Sequence, residues 1–196
     1  MTAAKTLSTK GRATRQSLED AARHLFAQRG FHGTTLADIT AAAGKSTASF
    51  YRYFTDKEDL LTALAEDFLS ELVDLPAPGA GDDFFTSAVR VYWHMFTPNI
   101  GIMLAVDQLA ATETRFALLQ NRFRQFGMTI VAASARRAQQ QGYATDLDPD
   151  HIALAIALLF ERFTSVSLSH GLSDDAAVAT LSTIWKRTLY GEHKEN

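Results

Sequence analysis

The chain has 196 residues, of which 46% are apolar and 21% charged. These ordinary globular values exclude wholesale disorder and leave room for a sizeable core in one domain or two small ones. Cysteine is absent, which removes disulfides, zinc–thiolate sites and thiol catalysis and permits a reducing cytoplasm. The net charge of −3 conceals a polarity. Residues 1–54 hold eight Lys/Arg against three acids, whereas the remainder holds eleven against nineteen. A basic head on an acidic body follows, and such a head suits a polyanionic partner. No uninterrupted apolar run reaches the roughly 18 residues of a spanning helix. The first residues, "MTAAKTLSTKGRATRQ", lack an apolar core and do not read as a signal peptide.

In chain order, almost everything reads as helix. Lys5, Lys10, Arg12 and Arg15 form a basic arm that is expected to be disordered without a partner, since no apolar stripe begins before Leu18. Leu18, Ala21, Ala22, Leu25 and Phe26 then recur at helical spacing. They predict an amphipathic helix from about Thr14 to Gln28, stopped by Gly30. "TTLADITAAAG" restarts the pattern, with Thr34 or Thr35 as cap and Gly44 as its end. In "GKSTASFYRYF", Ser46 caps a third, very short helix running to near Thr55. Phe50, Tyr53 and Phe54 share one face there and can be buried. Asp56 caps a fourth, "KEDLLTALAEDFLSELVDL", whose inner face is Leu60, Leu61, Leu64, Ala65, Phe68 and Leu72. The linker "PAPGAGDD", Pro76 to Asp83, follows. Five more helices are predicted at about 83–95, 98–111, 114–141, 149–169 and 174–190, with breaks at Pro98, Gly142, Pro149 and Gly171.

Two short helices joined by a turn containing Gly44, after a longer helix, form a helix-turn-helix. The second helix of that motif lies in the DNA major groove with its N-terminal residues toward base edges. Here those residues are Lys45, Ser46, Thr47, Ala48 and Ser49, with Tyr51 and Arg52 reaching further. Hydroxyls and cations suit phosphates and base-edge acceptors, and short side chains let the helix lie deep. The crowded aromatic stretch thus divides its labour. One face locks a very short helix onto its support and the other is offered to DNA.

The stretch "TRQSLEDAARHLFAQRGFHGTTLADITAAAGKSTASFYRYFTDKEDLL" resembles the N-terminal domain of tetracycline-repressor (TetR) type bacterial transcriptional regulators. The resemblance runs from about Thr14 to Leu61 and rests on features in all four helices: "A..LF...G", "TT..DI...AG", "S....FY.YF" and "DKEDL". It implies an all-α fold in which residues 1–56 form a three-helix DNA-binding domain with a basic N-terminal arm. A linking helix would join it to a helical ligand-binding and dimerisation domain, residues 57–196. It further implies a homodimer, a double-stranded operator and a small-molecule effector, with phosphate contacts from Thr34 or Thr35, Tyr51 and Lys57. The groove-facing positions would be Lys45 to Ala48. Two positions depart from the pattern. Thr40 stands where the family usually has a small apolar residue, and Lys45 where it usually has a β-branched apolar one.

The second half carries less specific signals. Trp93, Phe96, Met103, Phe123 and Phe126 are candidate walls of an effector site, although aromatic and Met residues at helical spacing commonly serve a core. His94, Asp107 and Gln108 need partners if buried, and a bound ligand is one such partner. Gly127, inside a helix, marks room for a ligand or a close helix crossing. Ile152 to Phe160 are nine consecutive apolar residues. A helix apolar on all sides near the end of a small domain calls for a partner subunit, with the last helix (Val178, Leu181, Ile184, Trp185, Leu189) beside it.

No metal-ligand spacing, HExxH, GxGxxG, Walker loop or GxSxG is present. An enzyme, a cofactor and a metal site are therefore not expected. The reading is a cytoplasmic, ligand-responsive regulator acting as a homodimer on a palindromic operator. The competing reading is a helical protein-interaction adaptor that does not bind DNA, which leaves Lys45, Arg52, Lys57 and the basic arm without a task.

Overall fold

The computed structural model describes residues 8–73 and 84–191. The linker Pro76 to Asp83 and Lys5 of the arm lie outside them. The described residues are helical, with nine α-helices and no strand: α1 (Thr9–Arg29), α2 (Leu36–Ala42), α3 (Thr47–Phe50), α4 (Lys57–Val73), α5 (Phe84–Phe96), α6 (Ile100–Ala110), α7 (Thr114–Gln140), α8 (Pro149–Ser167) and α9 (Asp174–Tyr190). Two compact units result. The first takes the chain up to Phe68 together with Asn99–Leu119; the second takes Leu69–Pro98 and the chain from Gln120 onward.

The first helix starts earlier than expected. The Ser8 hydroxyl accepts from Gly11 N at 3.2 Å and caps α1, so Lys10, Arg12 and Arg15 lie on the helix, contrary to the disorder expected of them. The apolar stripe could not reveal this, because a cap and its first exposed turn need no apolar residue. Arg15 is further fixed by Glu19, its Nε 2.7 Å from Oε1, and its guanidinium lies 5.4 Å from the Phe54 ring centre. Glu19, buried in this pairing, is thereby held by a charge of opposite sign.

Helix α2 is closed at both ends. Thr35 and Asp38 form a reciprocal capping box. At the far end Lys45 N donates to Thr40 O at 2.9 Å and Gly44 N to Ala41 O at 3.0 Å, with Gly44 at φ +62°. This is a Schellman motif, whose usual companion is an apolar contact between the residues at the Thr40 and Lys45 positions. The two departures from the family pattern thus fall on one pair. Thr40 is buried and donates to Ala37 O at 3.1 Å.

A four-residue helix has no stability of its own. Helix α3 persists because Phe50 and Phe54 are buried with ring centres 5.5 Å apart, each contributing roughly 1.5–3 kcal/mol of burial. Tyr53 lies only partly inside, in the turn after α3. All six expected inner residues of α4 are buried.

Helix α6 lies against α1 in the first unit. A Cβ on Gly101 would stand 2.4 Å from Ala27 N and 2.6 Å from its Cα, so only glycine permits this crossing. Arg23 of α1 hydrogen-bonds the Asn99 side chain just before α6. At Gly127, where a close approach was expected, a Cβ would meet nothing within 4 Å.

The second unit is built on α5, α8 and α9 with the later part of α7. Its centre is aromatic: Trp185 meets Phe85 at 5.1 Å and Phe160 at 6.0 Å. Both indoles are satisfied, Trp93 donating to Asp174 Oδ1 at 2.8 Å and Trp185 to Ser134 Oγ at 3.2 Å.

Candidate nucleic-acid interface

The sequence places Ser46, Thr47 and Ala48 at the start of α3, and all three are exposed. Ser46 spends its hydroxyl as cap, accepting from Ser49 N at 3.2 Å. That arrangement fixes where the helix begins and leaves Thr47 and Ala48 on its outward first turn. Tyr51, 60% exposed, follows at the other end of the same face, and Arg52 is exposed beside it in sequence. The Tyr51 ring meets the buried Phe50 edge-on, with centres 5.7 Å apart, and so exposed a phenol beside hydroxyls and a guanidinium suits a polar, anionic partner. Lys45 is half-buried, and its backbone N–H closes the Schellman turn.

The pair of threonines left open by the sequence is separated by the structure. Thr34 is fully buried and donates to Gly30 O at 2.8 Å, which closes the turn after α1 and withdraws its hydroxyl from the surface. Thr35 is exposed. Its hydroxyl lies 2.6 Å from Asp38 Oδ2, and the same oxygen accepts from Thr35 N at 2.9 Å. These two bonds, with the Arg29 guanidinium nearby, hold the Asp38 carboxyl below its ordinary range.

Lys57 has a dual position that the sequence did not disclose. Its Nζ donates to Phe31 O at 2.7 Å and Thr34 O at 2.8 Å, and lies 4.1 Å from the Phe31 ring centre. Partial burial lowers its pKa. The ammonium therefore ties the start of α4 to the turn between α1 and α2, and of its three protons one remains for a phosphate. A carbonyl pair 23 and 26 residues earlier in the chain leaves no local pattern.

The eight residues proposed around an effector do not gather within one unit. Met103, Asp107 and Gln108 belong to the first; Trp93, His94, Phe96, Phe123 and Phe126 belong to the second. His94, Asp107 and Gln108 are exposed, so none is a buried polar group awaiting a ligand. Trp93, Phe96 and Phe123 are buried, Phe126 and Met103 partly so. Two polar groups that the sequence passed over do lie among the aromatics: Tyr92 and Thr164, their oxygens 3.1 Å apart. No cluster of three metal-ligating side chains exists among the described residues, and none of their helices is long and apolar enough to cross a membrane.

Comparisons with known proteins bear on this arrangement. Residues 18–64 match the family described as bacterial regulatory proteins, tetR family. Over 184 residues the chain is 28% identical to the HTH-type transcriptional regulator EthR of Mycobacterium tuberculosis, covering 88% of this chain and 85% of that protein. Over 62 residues it is 34% identical to the transcriptional repressor AcnR of Corynebacterium glutamicum, covering 32% and 33% of the two chains. Among solved structures, a tetR-family regulatory protein from Rhodococcus RHA1 superposes with a TM-score of 0.70 at 22% identity, covering 94% of this chain and 98% of the other. The fatty acid degradation regulator FadR from Bacillus halodurans gives a TM-score of 0.69 at 19% identity, covering 96% and 99%. With the helix-turn-helix, these likenesses show a DNA-binding domain of the tetR family of bacterial transcriptional regulators at residues 18–64, in a chain whose fold is that of solved tetR-family proteins.

Proposed function

We propose that the protein is a cytoplasmic repressor that binds a palindromic operator as a homodimer and is released by a small apolar or amphipathic ligand. The observation that carries the DNA side is the exposed first turn of α3, Ser46 to Ala48, on a helix whose buried anchors lie on its opposite face. Residues 1–56 read DNA, with Lys45, Thr47 and Ala48 toward bases. Tyr51, Arg52 and the third proton of Lys57 then serve phosphates, whereas Thr35, whose N–H and hydroxyl proton are both spent on Asp38 Oδ2, has no donor left for one. Residues 57–196 supply effector binding and dimerisation.

Dimerisation is supported by the outer surfaces of α8 and α9. In the nine-residue apolar run, Ile152, Ala153, Ile156, Ala157 and Phe160 are buried. Leu154 and Leu158, one turn apart, are 40% and 45% exposed, and Ile184 of α9 is 40% exposed. Leucines repeating at i and i+4 on an outer face are covered economically by a second copy, and two-fold symmetry then fits a palindromic site. Mobility shifts with duplexes selected from a random pool test the reading. A retarded, salt-dependent complex on a palindrome supports it; no duplex binding at low salt would return the protein to the adaptor reading. Sedimentation showing a monomer at micromolar concentration would remove the dimer.

A further inference from the structure

Helices α5 and α8 each bring one hydroxyl to the same point in the second unit, Tyr92 Oη and Thr164 Oγ1, 3.1 Å apart. Thr164 is 1% exposed. Other helical threonines here return the hydroxyl proton to the carbonyl four residues earlier, as Thr129, Thr180 and Thr188 do. Thr164 makes no such bond, and its only hydroxyl contact among the described residues is Tyr92. Two hydroxyls own two protons, and the bond between them uses one. The other donor has no acceptor among the described residues. Burying such a donor costs about 1–3 kcal/mol, which makes it a place for an incoming oxygen.

The surroundings define what that oxygen belongs to. Tyr92 is stacked on Phe96 with ring centres 4.4 Å apart, and Phe160 lies 5.2 Å away on another side. Tyr92 itself is only partly covered. Glu161 is the nearby charge, and it is closed in a two-pronged pair with Arg124, both bonds 3.0 Å. Burial above all, with the Glu161 charge adding, keeps the phenol protonated well beyond its ordinary range, against the opposing effect of Thr164. A carboxylate entering here would meet the same burial and the same negative neighbour, with Arg124 already engaged. An uncharged carbonyl meets neither obstacle.

We propose that the effector site of the ligand-responsive reading is anchored at Tyr92 and Thr164, and that its ligand is a neutral, carbonyl-bearing apolar compound accepting from the Tyr92 hydroxyl. Thr164 donates to the phenol oxygen and aims the phenol's proton at the ligand. The inference rests on the reading of the protein as ligand-released, and its test separates the two.

Three ten-carbon probes, 2-decanone, decanoate and decane, are titrated against the full chain by quenching of Trp93 and Trp185 fluorescence. The ketone binds wild type more tightly than decanoate does. Tyr92→Phe, which keeps the stacked ring, weakens the ketone about tenfold, equivalent to ~1.4 kcal/mol, and leaves decane unchanged. Thr164→Val, which removes the hydroxyl that aims the phenol, weakens the ketone too, but by less than Tyr92→Phe does, because the phenol still donates. Absence of ketone binding, preference for decanoate, or equal ketone affinity in Tyr92→Phe overturns the site. Release from a selected duplex is measured in parallel. Ketone binding with the Tyr92→Phe loss but without DNA release would leave this site standing and sink the ligand switch. DNA release retained unaltered in Tyr92→Phe would do the reverse.

Discussion

The DNA-reading helices and the α5–α9 unit solve opposite problems. In the first, a helix of four residues is too short to hold itself, so two buried phenylalanines, a capping serine and a cation at a neighbouring turn fix its place. Beyond the Ser46 cap, Thr47 and Ala48 on its outward surface are exposed. In the second, longer helices such as α5, α8 and α9 of 13 to 19 residues pack along a shared core, and polar groups are committed inward: Trp93 to Asp174, Trp185 to Ser134, Tyr92 to Thr164. In the head, stability and the proposed DNA contacts occupy opposite faces. In the α5–α9 unit the proposed effector site would share the interior that carries stability.

The sharpest way to break this contrast is to remove the anchor of α3. Phe50→Ala should cost about 3–5 kcal/mol and abolish operator binding, seen as a lower melting temperature and loss of the shifted band. Retained DNA binding with lowered stability would mean that α3 is held by something other than its aromatic face. Next in size is the crossing of α6 over α1. Gly101→Ala should destabilise by about 1–3 kcal/mol through overpacking against the Ala27 backbone. Gly127→Ala, in open space on α7, should stabilise by up to about 1 kcal/mol. Equal melting temperatures for the two variants would refute the close crossing.

These two glycines also mark what the sequence could disclose. Periodicity located the helices of both units, because apolar spacing is a local property. The inner face of α4 and the aromatic lock of α3 were legible for the same reason. Gly101 and Gly127 both sit in helical patterns, and nothing local tells which one another helix approaches. The start of α1 was missed because its first turns are exposed and polar. At the candidate interface, residue chemistry was enough to nominate Thr47, Tyr51 and Arg52. Thr34 and Thr35 are adjacent and identical, and only packing separates the buried hydroxyl from the exposed one. His94, Asp107 and Gln108 were chosen as polar residues in apolar stretches, yet each falls on the outer side of its helix.

A smaller effect tests the dual position of Lys57. Lys57→Met should lose about 1.5–3 kcal/mol, since two charge-assisted bonds to carbonyls vanish, and should weaken all duplexes alike. Tyr51→Phe should instead leave the melting temperature unchanged while weakening all duplexes, because its exposed hydroxyl supports no fold contact. A change of sequence preference in either variant would contradict a phosphate role.

The smallest effect concerns the cap of α2. Thr35→Ala should destabilise by about 1 kcal/mol at neutral pH. Asp38 has a folded-state pKa below its ordinary value. Its contribution is therefore complete above the ordinary carboxylate range and disappears as pH falls through the lower, folded value. The gap between wild type and variant, followed by urea melts, should narrow on acidification below about pH 4. A gap that widened in acid would show that Asp38 is not held by Thr35.

The division of α3 into an anchored face and an idle one has a consequence for change over generations. Thr47 and Ala48 lie outside the core, so if they read bases as proposed, replacing them would alter what is read without endangering the fold. Surface substitutions of that kind usually shift stability by no more than about 0.5 kcal/mol. Operator preference can therefore drift by single substitutions, each intermediate remaining folded. An effector site built into the interior, like the one argued at Tyr92 and Thr164, has no such freedom. On the proposed reading, new operators would be open to this protein one residue at a time, while a new ligand would demand repacking of a core.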